Sequence, residues 1–160
     1  MRNENQIDPT DARVLLALAG QPRATAVALT GQTGLSRNTV QARIARLEAR
    51  GVLDSLERQI PPAMLGYPLT AFITTRVTQR RLDEVAAALA DLPEVLEVHG
   101  ISGETDLLVR VVAADAEDLY RIAGQVLDIP GVERTSTALV MRELVSCRIN
   151  PLLARAARRK

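Results

Sequence analysis

Aromatic side chains are scarce in this sequence of 160 residues: Phe72, Tyr67 and Tyr120 are all there are, and tryptophan is absent. Recognition of single strands or RNA needs several aromatic faces on which bases stack, so the scarcity argues for duplex DNA over single strands. Cys147 is the only cysteine. No internal disulfide can form, a reducing cytosol is compatible, and a cytoplasmic location is expected. One histidine, His99, beside one cysteine cannot make a zinc site of the usual kind. Neither a signal peptide nor an apolar run of about 18 residues is seen, so no membrane partner is expected. The sequence also lacks a glycine-rich phosphate loop and a usable His/Cys/Asp cluster. Its acidic pairs, such as Asp83-Glu84 and Glu117-Asp118, fall at helix starts, where capping accounts for them. No enzyme activity, metal or cofactor is expected.

Charge of one sign is also missing overall, with a net of +1, but it is unevenly spread. Residues 1–60 carry 8 Arg and 6 acids, net +2; residues 61–150 carry 8 Arg and 13 acids, net −5; residues 151–160 carry 3 Arg and 1 Lys, net +4. A basic front, an acidic middle and a basic tail fit a nucleic-acid module joined to a part that does not touch nucleic acid.

The front is organised around Ala26 to Leu53. Asp8 or Thr10 can cap a first helix with the stripe Val14, Leu15 and Leu18, ended by Gly20-Gln21-Pro22. A short helical segment, Ala26 to Gln32, then breaks at Thr33-Gly34-Leu35, with Gly31 marking a bend. Ser36 is a good N-cap for the next helix, where Val40, Ile44 and Leu47 recur at i, i+4 and i+7, and Gly51 closes it. The first turn and opposite side show Arg37, Asn38, Thr39, Gln41, Ala42, Arg43 and Arg46. An ordinary helix pair with a solvated arginine face shares this periodicity. Two features favour a helix-turn-helix that reads a major groove through these residues and Ser36. Residues 36–50 carry a local net charge of +3, and the arginines are mixed with Asn and Gln, which pair with base edges. Residues 52–60 read as an extended wing or the start of a linker, with Asp54 and Glu57 weighing against phosphate contact. Pro61-Pro62 marks the domain boundary and Gly66-Tyr67-Pro68 a second turn, so residues 61–68 are a linker.

From Leu69 the pattern changes. Alternation from Leu69 to Val77 predicts a strand, residues 80–92 a helix, Val95 to Ser102 and Leu107 to Ala113 two strands, residues 115–128 a helix, and Val132 to Val145 a long fourth strand. Residues Leu82, Val85, Ala86, Leu89, Asp91, Leu92, Pro93 and Val95 recur, 37 positions on, as Leu119, Ile122, Ala123, Val126, Asp128, Ile129, Pro130 and Val132. The region is a βαβ unit written twice, the ferredoxin-like βαββαβ arrangement, occupying residues 69–145. The fold class is therefore α+β: a winged helix-turn-helix followed by a ferredoxin-like domain. Both helices fall on one face of four antiparallel strands. The other face is left for a partner, most simply a second copy in a two-fold dimer. The basic tail, residues 146–160, carries Arg155, Arg158, Arg159 and Lys160, which either contact the DNA backbone or stand in solvent, and solvent is the favoured reading.

The residues Ile7-Asp8, Asp11, Val14-Leu15 and Leu18, then Gly34-Leu35-Ser36, Val40, Arg43-Ile44, Leu47-Glu48 and Gly51-Val52 form an ordered set. Leu65-Gly66-Tyr67-Pro68-Leu69-Thr70-Ala71-Phe72, Ser102-Gly103-Glu104-Thr105-Asp106-Leu107-Leu108-Val109 and Pro130-Gly131-Val132 with Thr135 and Thr137 continue it. In this order and spacing the chain resembles the Lrp/AsnC (feast/famine) family of prokaryotic transcription regulators over roughly residues 7–145. The resemblance implies dimers through the sheet, assembled further into tetramers or octamers, and an amino acid or related small molecule as effector. It places the effector at a subunit interface near the loop between strands two and three, here Gly100 to Asp106. The glycines Gly100 and Gly103 let backbone N–H groups approach a carboxylate, with Thr105 in the same turn. Asp106 or Glu104 would meet an α-ammonium group, and Ser102, Thr135 and Thr137 would add hydroxyls. By itself Gly103-Glu104-Thr105-Asp106 also reads as a plain hairpin turn. The expected function is a sequence-specific regulator of double-stranded DNA that responds to an amino acid; the alternative is an architectural DNA-binding protein that needs no effector.

Overall fold

The computed structural model describes residues 7–53 and 60–159. The chain divides into one unit drawn from both its ends, Met1–Arg58 with Val145–Lys160, and a second formed by Gln59–Leu144. The strand or wing expected over 52–60 falls mainly on 54–59, outside the described residues; Val52, Leu53 and Ile60 belong to no strand.

In the first unit, α1 (Pro9–Gly20) starts where the Asp8 carboxylate accepts from the Asp11 N–H at 2.7 Å, with Pro9 in the first turn where its missing N–H costs nothing. Thr25 caps α2 (Ala26–Thr33) by accepting from the Ala28 N–H at 3.3 Å, and Gly34 closes it in the left-handed region. Ser36 caps α3 (Arg37–Ala49) as expected, accepting from the Thr39 N–H at 3.2 Å. Gly51, at φ +64°, donates to Glu48 and Val52 donates to Leu47, both at 2.9 Å, which is the Schellman ending that a glycine permits. Leu29, Val40, Leu47, Val14 and Ala12 are fully buried between the three helices.

The solvated tail requires correction. Residues Asn150–Ala157 form a helix with Pro151 in its first turn, and Leu153 is buried in one cluster with Val14, Leu15 and Leu47. Leu153, Ala154, Ala156 and Ala157 make a short apolar side, while Arg155, Arg158 and Arg159 stay exposed. Hydrophobic burial against α1 outweighs the solvation of a tail whose described arginines from Arg155 on stay exposed.

In the second unit, β1 (Leu69–Val77), α4 (Leu82–Ala90), β2 (Val95–Gly100), β3 (Leu107–Ala113), α5 (Ala116–Leu127) and β4 (Val132–Leu139) follow in the expected order; the terminal helix described above is α6. The sheet is antiparallel, in the order β2-β3-β1-β4. Ala71, Ile73, Val77, Leu107, Val109 and Val111 pack with Val85 and Leu89 of α4 and Leu119, Ile122 and Val126 of α5. This is the ferredoxin-like architecture, with both helices on one face. The 37-residue repeat accounts for it, since each helix offers its core residues at the same positions. The fourth strand stops at Leu139, not Val145, because its partner runs out: Leu139 pairs with Ala71 and the Val140 N–H reaches Thr70 O at 2.9 Å, just after Pro68. Residues Pro62–Leu65 of the linker form a 3-10 turn.

The docking of α6 is open to test. Leu153→Ala should destabilise the first unit by about 2 kcal/mol, whereas Arg155→Ser should leave stability within about 0.5 kcal/mol. Thermal unfolding of both variants checks this, and equal midpoints would show that α6 contributes nothing.

Candidate functional site

The α3 helix divides lengthwise into three sectors. Val40 and Leu47, with half-buried Ile44, face the core. A second row, Arg43, Arg46 and Arg50, turns toward the N-terminus of α1. Asp11 there has no solvent exposure. Its carboxylate accepts from Arg43 at 2.9 Å and from Arg46 at 2.6 Å, and the Arg50 guanidinium lies 3.9 Å away. Asp8 pairs with the same Arg43 and lies 3.5 Å from Arg46. Burial opposes ionisation of the Asp8 carboxyl, but the Asp11 N–H and the Arg43 guanidinium outweigh it and hold its pKa below the ordinary carboxylate range. The hydrogen bonds of Arg43 to Asp8 and then Asp11 push its own pKa up.

The third sector is open. Arg37, Asn38, Gln41 and Ala42 are exposed at neighbouring helical positions, and none of these side chains meets a partner among the described residues. Ser36 and Thr39 join their hydroxyls at 2.8 Å and complete the cap beneath this sector. The eight positions expected to face DNA thus divide. Four stand free on one surface, two build the cap, and Arg43 and Arg46 bind acids that sequence periodicity did not connect to them.

The second unit carries a polar, open concavity of about 640 Å³, lined by Thr74, Arg76, Gly103, Glu104, Thr105, Arg134, Thr135 and Ser136. Its floor is the helix-free face of β1 and β4, and its wall is the turn between β2 and β3. The register sets Thr74 opposite Ser136 and Arg76 opposite Arg134. Gly103 takes φ +132°, a value that favours glycine. Of the expected effector residues, Gly103, Glu104, Thr105 and Thr135 meet here, while Gly100, Ser102, Asp106 and Thr137 are not in the lining. Asp106 instead accepts from the Val77 N–H at 2.8 Å and from the Gln79 side chain at 2.6 Å, pinning the turn to the end of β1. Thr137 pairs with Ile73, whose side faces the helices. No motif marked Thr74, Arg76, Arg134 or Ser136. The available signal was strand alternation, which places Thr74 with Arg76 and Arg134 with Ser136 on one face.

A helix-turn-helix joined to a ferredoxin-like domain with a polar concavity defines a class of DNA-binding regulators with a ligand-binding domain. The comparisons agree. Residues 70–149 match the Lrp/AsnC ligand binding domain, and residues 7–54 match a winged helix-turn-helix DNA-binding domain. The chain is 32% identical over 136 residues to the HTH-type transcriptional regulator FL11 of Pyrococcus horikoshii, covering 85% of this chain and 90% of that protein. Its fold is similar to that of AsnC from E. coli, at a TM-score of 0.82 and 24% identity, covering 91% of this chain and 99% of the other. It is also similar, at a TM-score of 0.78 and 30% identity, covering 90% and 98%, to a feast or famine regulatory protein of M. tuberculosis complexed with L-methionine. The chain belongs to the Lrp/AsnC family of transcription regulators. Among the described residues no helix is long and apolar enough to cross a membrane.

The acid–arginine cluster predicts a pH dependence. Asp8 has a depressed folded pKa, so the stability it contributes is present above its unfolded pKa and is lost as the pH falls through the folded value. Asp8→Asn keeps a capping side chain but removes the charge. It should lower the unfolding midpoint at neutral pH and have little effect in acid. An equal loss at every pH would mean that the charge is not what matters.

Proposed function

We propose that this regulator reads duplex DNA with the open sector of α3 and that an amino acid, bound in the concavity beside the turn at Gly103, changes its assembly and so its DNA affinity. The observation that carries the first part is the exposed group Arg37, Asn38, Gln41 and Ala42 near the N-terminal end of α3, which has no partner among the described residues. Residues at that end of a recognition helix meet base edges. Arg matches guanine, Asn and Gln match adenine, and the Ala methyl suits the methyl of thymine. Arg43 and Arg46 act as positioning residues that fix the rotation of α3 from behind.

The second part rests on the concavity, on the match to a ligand-binding domain, and on a similar protein that carries L-methionine. The helix-free sheet face supports assembly with a second copy. It exposes or half-exposes Phe72 and Leu108 among Thr70, Thr74 and the Glu97, His99 and Arg110 cluster. A two-fold dimer would present two α3 helices to two half-sites about one turn of DNA apart, and dimers can assemble further. The effector acts only if it binds two assembly states with different affinity.

Arg37→Ala and Asn38→Ala should each weaken binding to a specific duplex about tenfold, the value of one bidentate base contact, with the unfolding midpoint unchanged. Arg43→Ala should lower the midpoint first. Fluorescence anisotropy beside thermal unfolding separates these outcomes. Full affinity in the Arg37→Ala, Asn38→Ala double variant would remove α3 as the reading element.

A further inference from the structure

Arg76 and Arg134 stand directly opposite each other on antiparallel β1 and β4. Side chains so paired have Cβ atoms roughly 5 Å apart, and like charges in this position destabilise a sheet. Among the described residues only one long, exposed ion pair offsets the cost. Arg134 meets no acid among the described residues. Glu133 approaches Arg76 only at 4.0 Å, with both side chains mostly exposed, and its other oxygen accepts from Thr78. The pairing also steps here from Arg76 with Arg134 to Val77 with Val132, leaving Glu133 as a bulged residue. Bulges of this kind re-aim side chains beside functional sites. Both arginines line the concavity, and the backbone N–H groups of Gly103, Glu104 and Thr105 on its other wall have no acceptor among the described residues.

We infer that the concavity selects an amino acid with a carboxylate side chain, whose second carboxylate is held between Arg76 and Arg134. This deepens, and rests on, the reading of the chain as an amino-acid-responsive regulator. The three ionic groups of such a ligand find three complements. The turn N–H groups at Gly103 to Thr105 take the α-carboxylate, Glu104 takes the α-ammonium, and the arginine pair takes the side-chain carboxylate. The charges in the lining, two arginines against Glu104, leave one positive charge. An acidic amino acid brings one net negative charge and cancels it, whereas a neutral amino acid such as methionine leaves the two guanidiniums facing each other. A planar guanidinium fork is suited to this contact, since it presents paired donors to carboxylate oxygens. Ser136, opposite Thr74 and two residues along from Arg134, can add a hydroxyl donor, while the Thr74 hydroxyl donates to the Ser136 carbonyl at 3.4 Å.

The test is calorimetric titration of the full chain with L-glutamate and L-aspartate, against L-glutamine, L-asparagine and L-methionine. The acids should bind at least about tenfold tighter than their amides, the value of one charge-assisted hydrogen bond. Arg134→Gln should abolish that preference while the amides still bind. It should also leave the unfolding midpoint equal or higher, because a like-charge pair is relieved; a merely structural arginine would lower it. If L-methionine or the amides bind as well as the acids, the selectivity is wrong and the amino-acid reading stands. If none of the five binds, the inference falls, and the amino-acid reading falls with it if a pooled mixture of the remaining amino acids also fails to bind. If Arg134→Gln dissociates the oligomer in sedimentation and leaves ligand preference intact, the arginines serve contacts between copies and the inference is overturned.

Discussion

A carboxylate with no access to water sets the geometry of the DNA-binding unit. Asp11 cannot be buried as an anion unless positive charge and hydrogen bonds reach it. Arg43 and Arg46 supply both, and Arg50 adds charge at longer range. Arg43 and Arg46 sit at i and i+3 on α3 and Arg50 follows at its C-cap, so satisfying Asp11 fixes how α3 is rotated about its own axis. Once that rotation is set, Val40, Ile44 and Leu47 face the core, and Arg37, Asn38, Gln41 and Ala42 face out. The surface proposed to meet bases is thereby defined by an ion cluster on its far side. On the proposed reading the arginine-rich helix has two jobs: one row of guanidiniums holds the frame, and the remaining polar residues stay open for DNA.

Much of this was legible in the sequence, and the reasons differ by element. Helical periodicity marked α3, and Ser36 and Gly51 marked its ends, because caps are local chemistry that the chain carries with it. The 37-residue repeat exposed the ferredoxin-like half for a similar reason: a duplicated βαβ must bury the same face twice. What stayed hidden depends on distant contacts. The partner of a long arginine is decided by how α1 and α3 cross, so Arg43 and Arg46 looked as available as Arg37. The end of β4 is set by where β1 begins, which its own residues do not encode. The α6 helix was masked because its apolar side is short and its charges are conspicuous. In the concavity, the turn at Gly103 was legible through a family resemblance. The facing of Arg76 and Arg134 required the strand register.

The two units have opposite electrostatic characters, and their division of labour follows. The DNA-binding unit gathers positive charge from both ends of the chain, since α6 brings its arginines back to the helices that precede the sheet. The second unit is acidic overall, and two of its arginines, Arg76 and Arg134, line its concavity. A phosphate backbone is attracted to the first and repelled by most of the second. On the proposed reading, an amino-acid-sized anion goes to the concavity of the second. On that reading the two ligands do not compete for a surface, and a change of assembly is the route by which one would affect the other. That linkage is reciprocal: whatever the effector does to DNA affinity, DNA does to effector affinity.

The most direct test of a ligand-responsive reader of duplex DNA is equilibrium binding of the full chain to the duplex upstream of its own gene. Binding would be measured by anisotropy across a salt series, with and without a pooled mixture of amino acids, against a scrambled duplex. The account predicts saturable binding that beats the scrambled sequence, weakens steeply with salt as counterions are released, and shifts when the mixture is added. Binding that ignores both sequence and mixture would contradict it and leave an architectural DNA-binding protein that needs no effector.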